Sequence, residues 1–349
     1  MINIGIIGFG YMGHFHWNKA RSFPQARVTC VFDTFEEKRA EAVEEGLTAY
    51  DRLEPFLAEN LDLVIIATPN QWHAPYAIAA MKSGKNVLCE KPATLTVAEL
   101  FSIQKAEQET GRFFTVHQQR RFDPDYRVVR DIIHSGELGR VTTIESRVLG
   151  ERGVCFGWRA DPESGGGMLY DWGVHLIDQI LCLWPREQVT SVYARLISVL
   201  TPAVDDYFEL ALTLSNEVTA HITVGTFALQ KLPRWFVFCD RGTLRLDDFT
   251  GTVGGAARIR ENVSGFDSVV GQKNLGPSRT MAPLKPEFLE PISLPPQEDL
   301  SMAFWNRLIS TLEGKEPLFV TSDQVLRQMQ VVEAAFRSSA GNEVIKVRI

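Results

Sequence analysis

Ile2-Asn3-Ile4-Gly5-Ile6-Ile7-Gly8-Phe9-Gly10-Tyr11-Met12-Gly13 decides how the chain is read. Asn3–Ile7 has the texture of a buried strand, and Met12–Ser22 that of a helix. Between them the glycines at 8, 10 and 13 form a G-x-G-x-x-G run. In a strand–turn–helix unit the first glycine permits the tight turn, and the second lets backbone approach a pyrophosphate. The third lets helix and strand pack closely, and the helix N-terminus adds N–H donors and the positive end of a dipole. Asp33 ends the second strand-like run, where a carboxylate accepts bonds from ribose hydroxyls and repels a 2′-phosphate. Gly8, Phe9, Gly10, Tyr11, Met12, Gly13 and Asp33 are thus candidate contacts to a dinucleotide, NAD in preference to NADP. NADP stays open, because Lys38 and Arg39 follow closely; as a solvated helix face they are neutral in that choice.

Outward from this unit the pattern repeats. Val28–Phe32, Asp62–Ala67, Asn86–Cys89 and Arg112–Val116 read as buried strands. Phe35–Glu45, Ala74–Ser83 and Val97–Glu109 read as helices between them, the last opened by a Thr96/Glu99 capping box. Alternation at this spacing implies right-handed crossovers and a doubly wound parallel sheet, a Rossmann domain over residues 1–120. Beyond it Asp125–His134 and Gly167–Leu183 look helical, followed by period-2 runs. Those are Val189–Val199, Phe208–Leu214, Val218–Val224, Trp235–Cys239 and Thr243–Leu246, with a hairpin turn at Asp240–Gly242. Residues 121–349 therefore read as an α+β substrate-binding and oligomerisation domain with an open, mostly antiparallel sheet. Residues 251–298 carry six Gly and six Pro and read as a long irregular excursion. A second capping box, Thr321/Gln324, opens a final helix over about 322–338 that can pack back on the first domain.

Composition sets outer limits. The 349 residues carry a net charge of −7, which argues against a nucleic-acid partner. The five cysteines form no close pair and no zinc spacing, which points to a reducing, cytoplasmic setting. No apolar run reaches the roughly 20 residues of a membrane helix, and no basic leader precedes the first strand.

A second constellation carries chemistry. Glu90-Lys91-Pro92 ends a parallel strand, and ligands of open α/β sheets bind at such strand ends. Lys91 there can hydrogen-bond a substrate oxygen, or it can pair with Glu90 at the surface. Further on, Gly165-Gly166-Gly167-Met168-Leu169-Tyr170-Asp171-Trp172-Gly173-Val174-His175 leads to Asp178. On a regular helix Asp171, His175 and Asp178 share one face, suiting general acid–base work. A core histidine satisfied by its neighbour stays open; a metal pair lacks a third ligand nearby, so no metal is expected. The three glycines are read as letting a substrate approach closely.

These pieces together resemble the glucose–fructose oxidoreductase / inositol dehydrogenase (Gfo/Idh/MocA) family. The matching residues are Gly8–Gly13 with His16, Ala67-Thr68-Pro69-Asn70 with His73, Gly84 through Glu90-Lys91-Pro92, and Gly165–His175. The resemblance implies NAD(P)-dependent oxidation of CH–OH groups and a catalytic trio of Lys91, Asp171 and His175. It adds Thr68, Pro69, Asn70, His73, Glu90 and, through Gln118-Gln119-Arg120-Arg121-Phe122, Gln119 to the cofactor side. Arg121, Trp158, Arg159, Trp172 and Asp178 are candidate substrate contacts, the tryptophans equally readable as packing. A sugar or polyol substrate and a homodimer or homotetramer follow as expectations. Two other outcomes stay open: an enzyme that recycles its NAD during elimination or glycoside cleavage, and a regulator that senses NAD or sugar.

Overall fold

The computed structural model describes every residue except 154, 262, 264–269, 273–275 and 279–283. Its first half is built on strands β1 (Ile2–Ile7), β2 (Ala26–Phe32), β3 (Thr48–Tyr50), β4 (Leu63–Ile66), β5 (Asn86–Cys89) and β6 (Phe114–Val116). They pair in parallel in the order β3-β2-β1-β4-β5-β6. Helices α1 (Tyr11–Ala20), α2 (Glu36–Glu44), α3 (Leu53–Leu57), α4 (His73–Lys82) and α5 (Val97–Thr110) make the connections. The central strands are apolar along their whole length because both faces are covered: every residue of β4 is buried. Strand order reverses between β1 and β4, so the loops after them meet, and a Cβ on Gly8 would lie 2.6 Å from the Ala67 carbonyl oxygen. The capping box at α5 forms as the sequence indicates. The short pair β3 and α3 was not read from the sequence; three residues are too few to show a period.

The second half centres on a nine-stranded sheet. Its members are β7 (Val141–Leu149), β8 (Val189–Ile197), β9 (Tyr207–Leu214), β10 (Thr219–Gly225), β11 (Trp235–Cys239), β12 (Gly242–Leu246) and β13 (Gly254–Ile259). A separate small ladder joins β14 (Val270–Gln272) to β15 (Gly276–Ser278); β16 (Leu289–Ile292) and β17 (Ile345–Lys346) complete the large sheet. The order is β16-β13-β12-β11-β7-β10-β9-β8-β17, antiparallel throughout except for β7 beside β10. Helices α6 (Pro124–Ser135), α7 (Val174–Leu183), α8 (Ala303–Leu312) and α9 (Ser322–Gly341) complete this half.

The expectation of an irregular excursion over 251–298 is corrected at both ends. β13 and β16 belong to the large sheet, where Ala256 pairs with Ile292 and Ile259 with Leu289. Gly254, Gly255 and Pro291 hid the strand pattern, and an edge position tolerates them. The middle of that segment lies partly outside the described residues. The final helix starts at its Thr321/Gln324 capping box and touches both halves: α5 and β6 on one side, α7 and β8 on the other. Thr115 donates to the Val320 carbonyl at 2.9 Å, anchoring its approach under β6. Among the described residues no helix is long and apolar enough to cross a membrane, and all five cysteines are free.

Candidate functional site

The loops after β1, β2 and β4 form the first part of the site. Gly8 adopts φ +89°, which a side chain would strain, and a Cβ on Gly13 would stand 2.2 Å from the Gly8 carbonyl oxygen. Among the described residues nothing lies within 4 Å of a Cβ on Gly10, so open space for a ligand begins there. Phe9 is fully buried and Tyr11 is exposed at the rim. Asp33 accepts from the Phe9 N–H at 2.7 Å and the Phe35 N–H at 2.9 Å, which clamps the two loops together. Each carboxylate oxygen keeps a further acceptor position. Arg39 donates to the Asp33 carbonyl at 3.0 Å, bringing a cation to the same edge. Among the described residues, the Thr68 hydroxyl and the Gln71 and Gln119 side-chain oxygens are buried without a hydrogen-bond partner. An unsatisfied hydroxyl on Thr68, whose Cγ2 lies 3.1 Å from a Cβ on Gly8, beside a glycine cradle with free space fits a dinucleotide.

Three residues expected on the cofactor side make contacts within the protein. His73 is fully buried, with Nδ1 2.7 Å from the Pro92 carbonyl oxygen and Nε2 3.0 Å from that of Thr68. It ties the Thr68–Asn70 loop to the Lys91–Pro92 turn and has no atom left for a ligand. Asn70 donates to the Gly165 carbonyl at 3.0 Å, bridging the two halves. Glu90 Oε1 lies 2.8 Å from both His16 Nε2 and His117 Nδ1, all three buried. Burial works against the Glu90 charge, but the two imidazoles hold its pKa well below the usual carboxylate range. The three could coordinate a cation only by giving up these bonds to each other.

The chemical groups converge where β5 meets the second half. Lys91 Nζ donates to Asp171 Oδ1 at 2.5 Å and to the Asp171 carbonyl oxygen at 3.0 Å. Arg159 Nε stands 3.6 Å from the same carboxylate oxygen, its guanidinium 4.4 Å from the Trp158 ring centroid. Burial raises the Asp171 pKa, but Lys91 and then Arg159 outweigh it, so the carboxylate stays ionised.

The regular-helix reading of Gly167–Leu183 is corrected here. Leu169–Gly173 is a π-helix turn and α7 starts only at Val174. Wider turns of this kind cluster at functional sites because they re-aim a side chain. Asp171 therefore turns to Lys91 and not to His175, whose Nδ1 lies 2.9 Å from Gln118 Oε1. Burial, then Lys91 and Arg120, push the His175 pKa well below its usual value, leaving the ring neutral. The glycine run serves the chain itself: a Cβ would strike Leu95 at Gly165, the Arg159 carbonyl at Gly166 and the Asp205 carboxylate at Gly167.

Arg121 and Asp178 are not free to bind a substrate. They form a bidentate pair, with Nε and Nη2 each 2.7 Å from a carboxylate oxygen, and Arg121 Nη1 also donates to the Phe319 carbonyl. Trp172 lies under the Arg120 guanidinium at 4.0 Å and against Phe249. Beside it opens a cavity of about 580 Å³ lined by Glu151, Arg152, Met168, Trp172, Thr226 and Phe249. Thr226 and Phe249 carry no sequence signal, since a lone hydroxyl or aromatic on a sheet rim has no pattern, and Arg120 stands out only as part of the Gln118–Phe122 stretch.

Residues 2–118 match the model described as "Oxidoreductase family, NAD-binding Rossmann fold", and residues 126–245 match the GFO/IDH/MocA C-terminal domain. The chain belongs to the Gfo/Idh/MocA oxidoreductase family. It is 32% identical to inositol 2-dehydrogenase 2 of Saccharopolyspora erythraea, over 64% of this chain and 66% of that protein. It is 24% identical to scyllo-inositol 2-dehydrogenase (NADP(+)) IolW of Bacillus subtilis, over 99% of this chain and 95% of that one. A solved NAD-binding protein from Listeria innocua superposes with a TM-score of 0.86 at 35% identity, covering 99% of this chain and 96% of its own. This member is an NAD(P)-binding dehydrogenase acting on a small molecule.

Proposed function

We propose that this enzyme oxidises a secondary alcohol of a sugar, polyol or close derivative, or reduces the matching ketone, with NAD as the preferred nucleotide. The observation that carries this reading is the pairing of Lys91 with an ionised Asp171 beside a neutral, buried His175. When bound, the nicotinamide supplies the hydride acceptor. His175 takes the hydroxyl proton, Lys91 holds the oxygen and stabilises developing alkoxide charge, and Asp171 fixes Lys91 at two atoms. Gly8, Gly10, Gly13, Thr68, Pro69 and Gln119 line the nucleotide, and the Asp33 carboxylate disfavours a 2′-phosphate. The cavity beside Trp172 takes the substrate, with the indole ring against a sugar face, and Arg159 stands at the Asp171 carboxylate.

A spectrophotometric screen of polyols, aldoses and sugar phosphates, with NAD and NADP separately, tests the reading. Reduced nucleotide should accumulate, faster with NAD, and His175→Ala should lower turnover by roughly 10²–10⁴-fold while NAD still binds. Consumption of substrate without net reduced nucleotide would move the assignment to a self-recycling eliminase. NAD binding with no turnover of any candidate would favour a sensor.

The outer face of the nine-stranded sheet is the proposed contact with a second copy. Phe236, Glu145, His221, Ala211 and Tyr193 lie in one cross-strand row, and Tyr193 and Phe238 are exposed. Sedimentation velocity should show a dimer or tetramer that Phe238→Asp weakens; a monomer at micromolar concentration would refute this. The free cysteines fit a reducing, cytoplasmic setting.

A further inference from the structure

Behind His175 three side chains form a hydrogen-bonded chain that has a direction. Gln118, just after β6, and Gln328, on α9, are each 1% exposed, enclosed as fully as the apolar core around them. Gln328 Nε2 donates to the Val174 carbonyl, Gln118 Nε2 donates to Gln328 Oε1 at 3.4 Å, and Gln118 Oε1 faces His175 Nδ1 at 2.9 Å.

The order follows from one fixed point. A backbone carbonyl only accepts, so Gln328 must present its NH₂ to Val174 and its oxygen to Gln118. Gln118 then spends its NH₂ on Gln328 and turns its own oxygen to the imidazole. An amide oxygen at Nδ1 requires a proton on Nδ1. A neutral ring carries only that one, so the lone pair sits on Nε2, which has no hydrogen-bond partner among the described residues. Asp171 does not set the tautomer: among the described residues it makes no hydrogen bond to His175, and its Oδ1 faces Lys91 and Arg159 instead.

We propose that Gln118 and Gln328 are positioning residues that lock His175 in the Nδ1–H tautomer, so that Nε2 is the atom that takes the substrate's hydroxyl proton. The inference rests on His175 being the base. Gln328 matters although it lies on the last helix, over a hundred residues downstream of the site. It is a buried amide on a face otherwise made of Val325, Met329 and Val332. Replacing it with a residue of the same shape and no polar ends would free the Gln118 amide to flip.

Nitrogen-15 NMR of free enzyme labelled at its seven histidines reads the tautomer directly, with His175→Asn identifying the signal. Wild type should show Nδ1–H. Gln118→Leu and Gln328→Leu should both populate Nε2–H, with kcat falling about 10²-fold and NAD affinity unchanged. Gln118→Glu keeps the acceptor, so it should hold the Nδ1–H form and move the acid limb of kcat/KM up by about one pH unit. If Gln118→Leu fails to fold, Gln328→Leu reads the same chain one link further out. An Nε2–H ring in wild type, a tautomer and kcat unmoved in the leucine variants, or an acid limb unmoved in Gln118→Glu would overturn the proposal. Turnover retained in His175→Ala would overturn the functional reading alone, because the tautomer is read without substrate.

Discussion

Single residues carry chemistry that the sequence displays and contacts that it hides. Lys91, Asp171 and His175 are conspicuous as titratable groups among apolar neighbours and glycines, and the fold brings them together. Their partners were misread because i, i+4 spacing presumes a regular helix, and the π-turn at Leu169–Gly173 rotates Asp171 away from His175. Arg121 and Asp178 show the opposite error: each looks functional alone, yet they neutralise one another. The environment of His175 yields a measurable consequence. Burial first, then Lys91 and Arg120, lower its pKa well below 6.5. A base must be unprotonated, so kcat/KM should stay flat as pH falls past 6.5 and bend only in more acidic solution. A pH–rate profile with an acid limb above 6.5 would contradict the assignment of His175 as the base.

Secondary-structure elements were legible where one period ran long enough and where both faces were alike. β1, β2, β4 and β5 announce themselves as apolar runs, and α5 and α9 by their caps. β7 did not, since in Val-Thr-Thr-Ile-Glu-Ser-Arg-Val-Leu the inward face is interrupted by a serine, Ser146. Ser146 is buried there because it accepts from Arg234, itself paired with Asp125 at 3.0 Å. Such buried polar partnerships are invisible until strands are placed side by side. The β1–α1 turn separates two jobs that its glycines share in sequence. Gly13→Ala drives a Cβ into the Gly8 carbonyl and should lower Tm by several degrees with or without nucleotide. Gly10→Ala meets no protein atom, so Tm without nucleotide should hold while NAD affinity falls at least about tenfold. Calorimetry of both variants, each run with and without NAD, checks the division. Equal loss of apo stability in the two would show that Gly10 also serves packing.

Across the whole molecule, buried titratable groups couple folding to pH in opposing directions. His16, His73 and His175 are enclosed, and desolvation is the largest cause lowering the pKa of each. In the unfolded chain each titrates near 6.5, so on acidification below that point the unfolded state binds more protons. The stability these groups contribute is complete above about pH 6.5 and is lost as pH falls through their folded values. Asp205 acts against them. Its carboxylate accepts the Leu169 N–H at 2.8 Å at the head of the π-turn, and burial raises its pKa to about 7 from 3.8. The folded chain therefore keeps a proton that the unfolded chain releases, a contribution present below 3.8 and lost as pH rises towards 7. Burial also raises the pKa of Glu107, Asp123 and Asp125, on the same side as Asp205. With the three enclosed histidines as the larger contribution between pH 6.5 and 5, Tm should fall on acidification. Asp205→Asn preserves an acceptor for Leu169 and removes one opposing titration, so its Tm should fall more steeply over the same interval. Above pH 7 the variant should instead match or exceed the parent, because it buries no charge. Calorimetry from pH 8 to 5 at constant ionic strength measures both slopes. A parent Tm that rises towards pH 5, or a variant slope shallower than the parent's, would place the controlling protons on groups other than the three histidines and Asp205.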